Sequence, residues 1–217
     1  MTTFDFQDGN GPVPAHRHAN PDGSEGGWVA DSASVDASAF LSGDARVSGD
    51  AHVSGDAQVY SDAQVSGNAR VSGNTQVYGN ARVYGNARVS GNTQVYGDAW
   101  VSGNAWVSGD AWVYGDARVY GDARVYGDDI LQIGPIGSRR VIATITLRPV
   151  PHIRTGCFAG TLDAFRSAVQ ETHKNNRHYQ DYMAMIAFVE SWIAARSEGE
   201  EKLPEGEKVT ENSEVAA

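Results

Sequence analysis

The chain places an aliphatic residue at every sixth position from Val29 to Val125, which gives seventeen consecutive units without a break. Most units carry a small residue four places after the aliphatic one, with a Gly-Asp or Gly-Asn pair between the two. In a β-strand the triplet Ala-x-Val alternates in, out and in, so alanine and valine face an interior while x faces solvent. Glycine and Asx then turn the chain, because they tolerate backbone conformations closed to other residues. A fixed short period of this kind predicts a solenoid.

A repeat of eighteen residues is superimposed on the six-residue period. Residues 71–88 read VSGNTQVYGNARVYGNAR, and residues 89–106 read VSGNTQVYGDAWVSGNAW. Three short sides and three corners therefore make one triangular coil, and Thr75 should stack on Thr93 of the next coil. The same register predicts two columns on one side of the coils, one of glutamines and one of tyrosines: Gln58, Gln76 and Gln94, and Tyr60, Tyr78, Tyr96 and Tyr114.

This pattern resembles the left-handed parallel β-helix of the hexapeptide-repeat superfamily, and it covers almost half of the chain. The resemblance implies an all-β solenoid shaped as a left-handed triangular prism. At the usual interstrand spacing, nearly six coils would give a prism roughly 27 Å long. The superfamily contains acyltransferases, γ-class carbonic anhydrases and noncatalytic members, so the fold does not determine the chemistry. The resemblance also implies a trimer, because one side of each prism commonly faces neighbouring subunits in this superfamily.

The period stops after Asp129, and four regions are predicted: a flexible leader with an N-terminal cap (1–27), the β-helix (28–130), a small α+β module for capping or oligomerisation (131–196) and a disordered acidic tail (197–217). The module should contain two strands, broken at Pro149 and Pro151, and a helix with Thr161 as its N-cap. A second helix should present an apolar face made by Tyr182, Met185, Ile186, Val189 and Ile193.

The α+β module is too small to bury much surface alone, so it should pack on the last coil or on its counterparts in an oligomer. Its segments ILQIGPIGSR and TGCFAGTLDAF resemble C-terminal modules of bacterial and phage proteins described as hexapeptide transferases.

The net charge of −10 is unevenly distributed, with −3 in residues 1–27, −6 in 28–130, +4 in 131–196 and −5 in 197–217. An acidic chain argues against general binding of nucleic acid or anionic membranes, which depends on Lys and Arg. The sequence contains neither a stretch apolar enough for a membrane span nor a signal peptide, and it has one cysteine, so a cytoplasmic location is expected. Cys157 is predicted to be a buried, inert thiol.

The histidines are the candidates for catalysis or metal binding. An acyltransferase would need a histidine base, and the repeat contains only His52, at an outward position equivalent to Arg70 and Arg88. Surface variation is the favoured interpretation there, and catalysis is the alternative. His16 and His18 form an H-x-H pair that could bind a metal ion, although no metal site and no cofactor are predicted. The remaining histidines (His152, His173 and His178) lie in the C-terminal module, where the basic loop KNNR between the last two could bind a ligand.

Two sets of aromatic residues indicate interaction surfaces. The tyrosine column is predicted to be structural, with ligand binding as the alternative. The other set comprises Trp100, Trp106 and Trp112, which should occupy the outward position on all three sides of one coil and contact another subunit, the C-terminal module or a partner. The sequence therefore predicts a noncatalytic scaffold or binding protein of phage or prophage origin. It would act on a protein or small ligand through its flat faces and C-terminal module, as a homo-oligomer and preferably a trimer. The alternative is a CoA-dependent acyltransferase with an intersubunit site.

Overall fold

The computed structural model describes residues 2–127, 129–137, 141–147, 150–174 and 176–197. The acidic tail predicted from residue 197 onward lies outside the described residues, apart from Ser197 at the end of the last helix.

The N-terminal segment, for which the sequence predicts a flexible leader with a cap, forms an antiparallel hairpin. It contains strands β1 (Thr3–Phe4), β2 (Val13–Ala19) and β3 (Glu25–Ala30), paired antiparallel in the order β1-β2-β3. Phe6 and Ala15 are buried with Ala30 in a small apolar cluster of their own. The hairpin therefore covers the first coil and provides its first strand, β3.

The predicted β-solenoid of about six turns is confirmed. Its strands after β3 mostly contain two residues, are parallel and are separated by corners: β4 (Ser34–Val35), β5 (Phe40–Leu41), β6 (Arg46–Val47), β7 (His52–Val53), β8 (Gln58–Val59), β9 (Gln64–Val65), β10 (Arg70–Val71), β11 (Gln76–Val77), β12 (Arg82–Val83), β13 (Arg88–Val89), β14 (Gln94–Val95), β15 (Trp100–Val101), β16 (Trp106–Ser108), β17 (Trp112–Val113), β18 (Arg118–Val119) and β19 (Arg124–Tyr126).

The strands form three sheets, which make the three faces of the prism. The first face contains β3, β6, β9, β12, β15 and β18, the second contains β4, β7, β10, β13, β16 and β19, and the third contains β5, β8, β11, β14 and β17. Neighbouring strands pair residues eighteen positions apart, as Gln76 does with Gln94. The eighteen-residue coil inferred from the sequence is therefore confirmed.

The interior of the prism is filled by the alanines and valines of the repeat, which are almost fully buried. Thr75 and Thr93 replace alanine at two stacked inward positions. Their hydroxyl groups donate to the carbonyl oxygens of Ser72 and Ser90, each over 2.7 Å. A polar group thus enters the core without losing its hydrogen bond, which would otherwise cost about 1–3 kcal/mol.

The corners combine a left-handed glycine with a hydrogen-bonded Asx side chain. Gly91 has φ of 78°, and a Cβ atom there would lie 2.9 Å from the carbonyl oxygen of Gly109. Both the left-handed backbone and the close approach of the next coil therefore exclude a side chain. Asparagine side chains donate from coil to coil along each corner. One such ladder runs from Asn68 through Asn86 and Asn104 to Asp122, over 3.0 to 3.1 Å at each step.

Side-chain carboxamides close both open edges of the third face. At the first coil, Asn20 Oδ1 accepts from Leu41 N and Asn20 Nδ2 donates to Leu41 O, each over 2.9 Å. At the last strand of this face, β17, Gln132 Nε2 donates to Trp112 O over 3.1 Å and Gln132 Oε1 accepts from Tyr114 N over 3.3 Å. Each amide thereby replaces part of the strand that the next coil would have contributed.

The C-terminal module has four antiparallel strands and two helices: β20 (Ile130–Ile136), β21 (Val141–Thr146), β22 (His152–Thr155), β23 (Phe158–Thr161), α1 (Leu162–His173) and α2 (Arg177–Ser197). The predicted pair corresponds to β21 and β22. The sequence did not indicate β20, which contains Gly134 and Pro135 and whose pairing shifts register between Ile133 and Ile136. The short strand β23, with Gly160 inside it, was missed as well.

Both helices lie where the sequence predicts them. Thr161 caps α1, because its hydroxyl oxygen accepts from Ala164 N over 3.3 Å. The predicted apolar face of α2 packs on the module's sheet and on α1, with Tyr182, Met185, Ile186 and Val189 buried and Ile193 half-buried. The module also contacts the end of the coils, which is one of the two packing arrangements that the sequence predicts for it. No helix within the described ranges is long and apolar enough to cross a membrane.

A matched pair of substitutions tests the inward and outward assignment. Val83→Asp should lower the free energy of unfolding by about 4 kcal/mol or more, because it buries an unpaired carboxylate in a narrow core. Arg88→Asp introduces the same side chain at an outward position and should change stability by less than about 0.5 kcal/mol. Thermal unfolding followed by circular dichroism measures both. Unchanged stability of Val83→Asp would contradict the assignment.

Candidate interaction surfaces

The three tryptophans of the fifth complete coil occupy one face each. Trp100 lies on the first face, Trp106 on the second and Trp112 on the third, as the six-residue period requires. Trp106 is 46 % exposed and Trp112 is 54 % exposed, whereas Trp100 is half-buried.

Trp100 has partners within its own chain, which explains the difference. The guanidinium carbon of Arg118 lies 4.3 Å from the centre of its ring, and that of Arg82 lies 5.3 Å away. Tyr84 contacts the same indole edge-on at 6.2 Å. The indole is therefore covered by cation–π and aromatic contacts. The two exposed tryptophans lie on either side of the corner formed by Gly109 and Asp110, where the second and third faces meet.

The tyrosine column forms a continuous stack at the end of the third-face strands. Ring centres are 4.8 Å apart between Tyr60 and Tyr78, 4.9 Å between Tyr78 and Tyr96, and 5.6 Å between Tyr96 and Tyr114. Burial raises the pKa of Tyr60, Tyr78 and Tyr96 above 10.0, and the neighbouring tyrosines add to the rise at the last two. Because each ring covers the next, the rings present mainly their edges to solvent.

His52 lies on the open second face, paired in register with Arg70 of the next coil. Its Nδ1 atom is 2.9 Å from the carbonyl oxygen of Asp50, and its side chain is exposed. His52 does not line any of the five best-formed cavities of the described residues. The ring is therefore positioned by a backbone carbonyl, whereas a general base is usually oriented by a carboxylate.

His16 and His18 do not converge on one point. Their strand shifts register between Arg17 and Ala19, which interrupts the alternation of sides. His16 Nδ1 is exposed and lies 2.9 Å from Asp31 Oδ1, whereas His18 is buried with Nε2 2.9 Å from Ala39 O. Across the described ranges, no group of three or more His, Cys, Asp or Glu is arranged to hold a metal ion.

The C-terminal module corrects one prediction and adds detail to another. Cys157 is exposed, not buried, because it lies in the tight turn between β22 and β23. His173 and His178 approach each other across the connection between the helices, with ring centres 5.8 Å apart, and His173 also contacts Tyr182 at 5.3 Å. Asn175, in the basic loop that the sequence indicated as a ligand site, lies outside the described residues.

A cavity of about 220 Å³ lies between the last coil and the C-terminal sheet, and no pattern in the sequence indicated it. Arg154 lies over the Tyr120 ring at 4.5 Å, and His152 meets the same ring edge-on at 6.5 Å. Burial lowers the pKa of His152, and the charge of Arg154 lowers it further, so this imidazole is neutral at pH 7. Residues from two separate regions meet only in the folded chain, which is why spacing along the sequence could not reveal the cavity.

Comparison with known proteins supports the repeat architecture. A family model described as the YdcK beta solenoid repeat matches seven segments of the chain, residues 39–55, 63–79, 75–91, 81–97, 93–109, 111–127 and 117–130. All of them lie in the coils. No curated protein and no solved structure matches the chain. The chain is therefore a β-solenoid repeat protein.

A spectrophotometric titration tests the tyrosine stack. A raised pKa means that folding favours the protonated phenol, so the stability that this preference contributes is present below pH 10.0 and is lost as the pH rises through the folded pKa values. The tyrosinate absorbance of the native protein should therefore increase at higher pH than that of the protein in guanidinium chloride. The triple variant Tyr60→Phe, Tyr78→Phe, Tyr96→Phe should show a much smaller pH difference between its native and unfolded titration curves. Superimposable native and unfolded curves for the parent protein would refute the buried stack.

Proposed function

We propose that the chain is a noncatalytic β-solenoid scaffold that binds partners through its flat faces. The observation that carries the proposal is the pair of exposed indoles, Trp106 and Trp112, on neighbouring faces of a rigid prism. Large exposed apolar side chains grouped in this way are characteristic of interaction sites. The unbroken six-residue period leaves no inserted loop to shape a pocket on the faces.

The first partner that we propose is a second and third copy of the chain. In a parallel trimer, the second face of one protomer would lie against the third face of the next. Threefold symmetry keeps equivalent heights together, so Trp106 would meet Trp112 of the neighbour. The glutamines of the third face would meet the cations of the second in the same way, with Arg70 opposite Gln76 and Arg88 opposite Gln94. Each of these pairs is separated by six residues in sequence and lies in one coil.

The balance of energies depends on the indoles. Burying one indole contributes on the order of 2 to 3 kcal/mol. The net charge of the chain opposes association, and Asp56 and Asp110 lie at the corner between the two faces concerned. The arginine and glutamine pairs would contribute hydrogen bonds at exposed positions and add less. Removing both indoles should therefore dissociate the trimer.

The origin and location of the protein belong to the same proposal. The resemblance of the C-terminal segments to modules of bacterial and phage proteins supports a phage or prophage origin. A cytoplasmic scaffold agrees with the single exposed thiol of Cys157.

A CoA-dependent acyltransferase with an intersubunit site is the second candidate, because His52 lies on the face that the trimer would bury. Calorimetric titration with acetyl-CoA and with CoA distinguishes the two functions. The scaffold proposal expects no micromolar binding of either compound. Micromolar binding that is lost in His52→Ala would favour the enzyme and contradict the scaffold.

Light scattering tests the assembly. The intact protein should have the mass of a trimer, and the double variant Trp106→Ser, Trp112→Ser should have the mass of a monomer. The control variant Trp100→Ser removes an indole that is satisfied within its own chain, so it should remain trimeric. A monomeric mass for the intact protein would end the trimer proposal, and dissociation of the control alone would show that the wrong faces had been assigned.

A further inference from the structure

The first-face strand of the last coil, β18, ends the sheet with an open edge. In the preceding coil, Trp100 N donates to Ala117 O over 2.8 Å and Ser102 N donates to Val119 O over 2.9 Å. The equivalent donors one coil later are Arg118 N and Tyr120 N. No acceptor for either is found within the residues that the structure describes. The edge therefore offers N–H groups that a further coil would have paired.

The third face shows which chemical group closes such an edge. There the Gln132 carboxamide donates to Trp112 O and accepts from Tyr114 N. A carboxamide also closes the opposite end, where Asn20 bonds both the N and the O of Leu41. On the first face, the groups equivalent to Trp112 O and Tyr114 N are Arg118 O and Tyr120 N, which lie six residues later in the sequence. Among the described side chains, no carboxamide bonds to this pair.

The cavity of about 220 Å³ lies directly beside this open edge. Arg118 and Tyr120 line one side, and Thr144, Val150 and Arg154 of the C-terminal module belong to the other. The module comes too close for a whole additional strand, since Ile142 Cδ1 would lie 2.6 Å from a Cβ atom placed on Gly115. The space suits a small ligand, with an apolar surface at Val150 and Ala123.

We propose that this junction cavity binds a small ligand that carries a primary carboxamide on a flat, apolar body. The ligand's N–H donates to Arg118 O, and its carbonyl oxygen accepts from Tyr120 N, as the Gln132 side chain does on the third face. The apolar body lies against Val150. The site is on the first face and at the end of the prism, away from Trp106 and Trp112, so it is independent of the proposed trimer.

A carboxylate is the competing ligand, because Arg118 and Arg154 line the cavity. Two features reduce its advantage. Asp122 lines the same cavity and Asp116 lines the adjoining one, so these carboxylates offset part of the positive charge of the two guanidinium groups. A carboxylate would also lack an N–H group to donate to Arg118 O, so it could form only one of the two hydrogen bonds that a carboxamide forms.

Saturation-transfer NMR on the full chain with three probes tests the proposal. Benzamide has both the donor and the acceptor, N,N-dimethylbenzamide has no donor, and benzoate has the negative charge. Benzamide should bind with millimolar affinity, as expected for a ligand of this size, and at least about fivefold more tightly than either of the other two probes. Val150→Trp, which fills the cavity, should abolish the benzamide signal. Phe188→Trp adds the same side chain at an exposed position on α2 and should leave the signal unchanged.

Three results would overturn the proposal. They are the absence of benzamide binding, an equal signal from benzamide in Val150→Trp, and tighter binding of benzoate that is lost in Arg154→Gln. The last result would identify an anion site in the same cavity. None of the three changes the expected mass of the trimer or the calorimetry with CoA, so failure here is distinguishable from failure of the scaffold proposal.

Discussion

The coils depend on one another because each leaves backbone hydrogen-bonding groups that only the next coil can satisfy. Strands of two residues are too short to be stable alone, and the core of each coil is little more than three alanine and valine pairs. Stability therefore comes from the stack. This dependence makes the two ends the vulnerable parts of the solenoid, since an end exposes a full set of strand edges.

The chain meets this constraint in three ways. The N-terminal hairpin continues the first face as an antiparallel sheet. Side-chain amides from Asn20 and Gln132 close the third face at opposite ends. At the last coil of the first face, the C-terminal sheet approaches the strand edge without pairing with it, and a cavity is left. This cavity at the end of the first face is the site that we propose for a small ligand.

The same repetition separates the positions that the fold restricts from the positions that can vary along each strand. The inward alanine and valine and the corner glycine are fixed by the narrow core and by close approach between coils. The outward position is not restricted in this way, and it varies from glutamine to arginine to tryptophan. Because every face has the same spacing, two faces of neighbouring copies match in height without further adjustment. In the proposed trimer, the exposed tryptophans of one coil would then determine which faces meet.

The sequence predicted the features that repeat or that follow local rules. The six-residue period located the core valines, the eighteen-residue repeat placed one tryptophan on each face, and the Thr161 cap followed from helix chemistry. The features that the sequence did not reveal depend on single contacts between distant residues. Asn20 pairs with Leu41 and Gln132 with Trp112, and both Asn20 and Gln132 lie outside the periodic repeat. The strand β20 was hidden by its Gly134-Pro135 pair, and the junction cavity needed residues that are far apart in sequence.

Amide hydrogen exchange measured by NMR tests the central claim about the ends most directly. Tyr96 N, inside the stack and bonded to Val113 O over 2.9 Å, should exchange slowly. Tyr114 N, at the end of the third face but bonded to Gln132, should be protected to a measurable extent, and Tyr120 N, at the open edge of the first face, should exchange fastest of the three. Exchange of Tyr114 N as fast as that of Tyr120 N would contradict the account, because the carboxamide would then not be closing the edge.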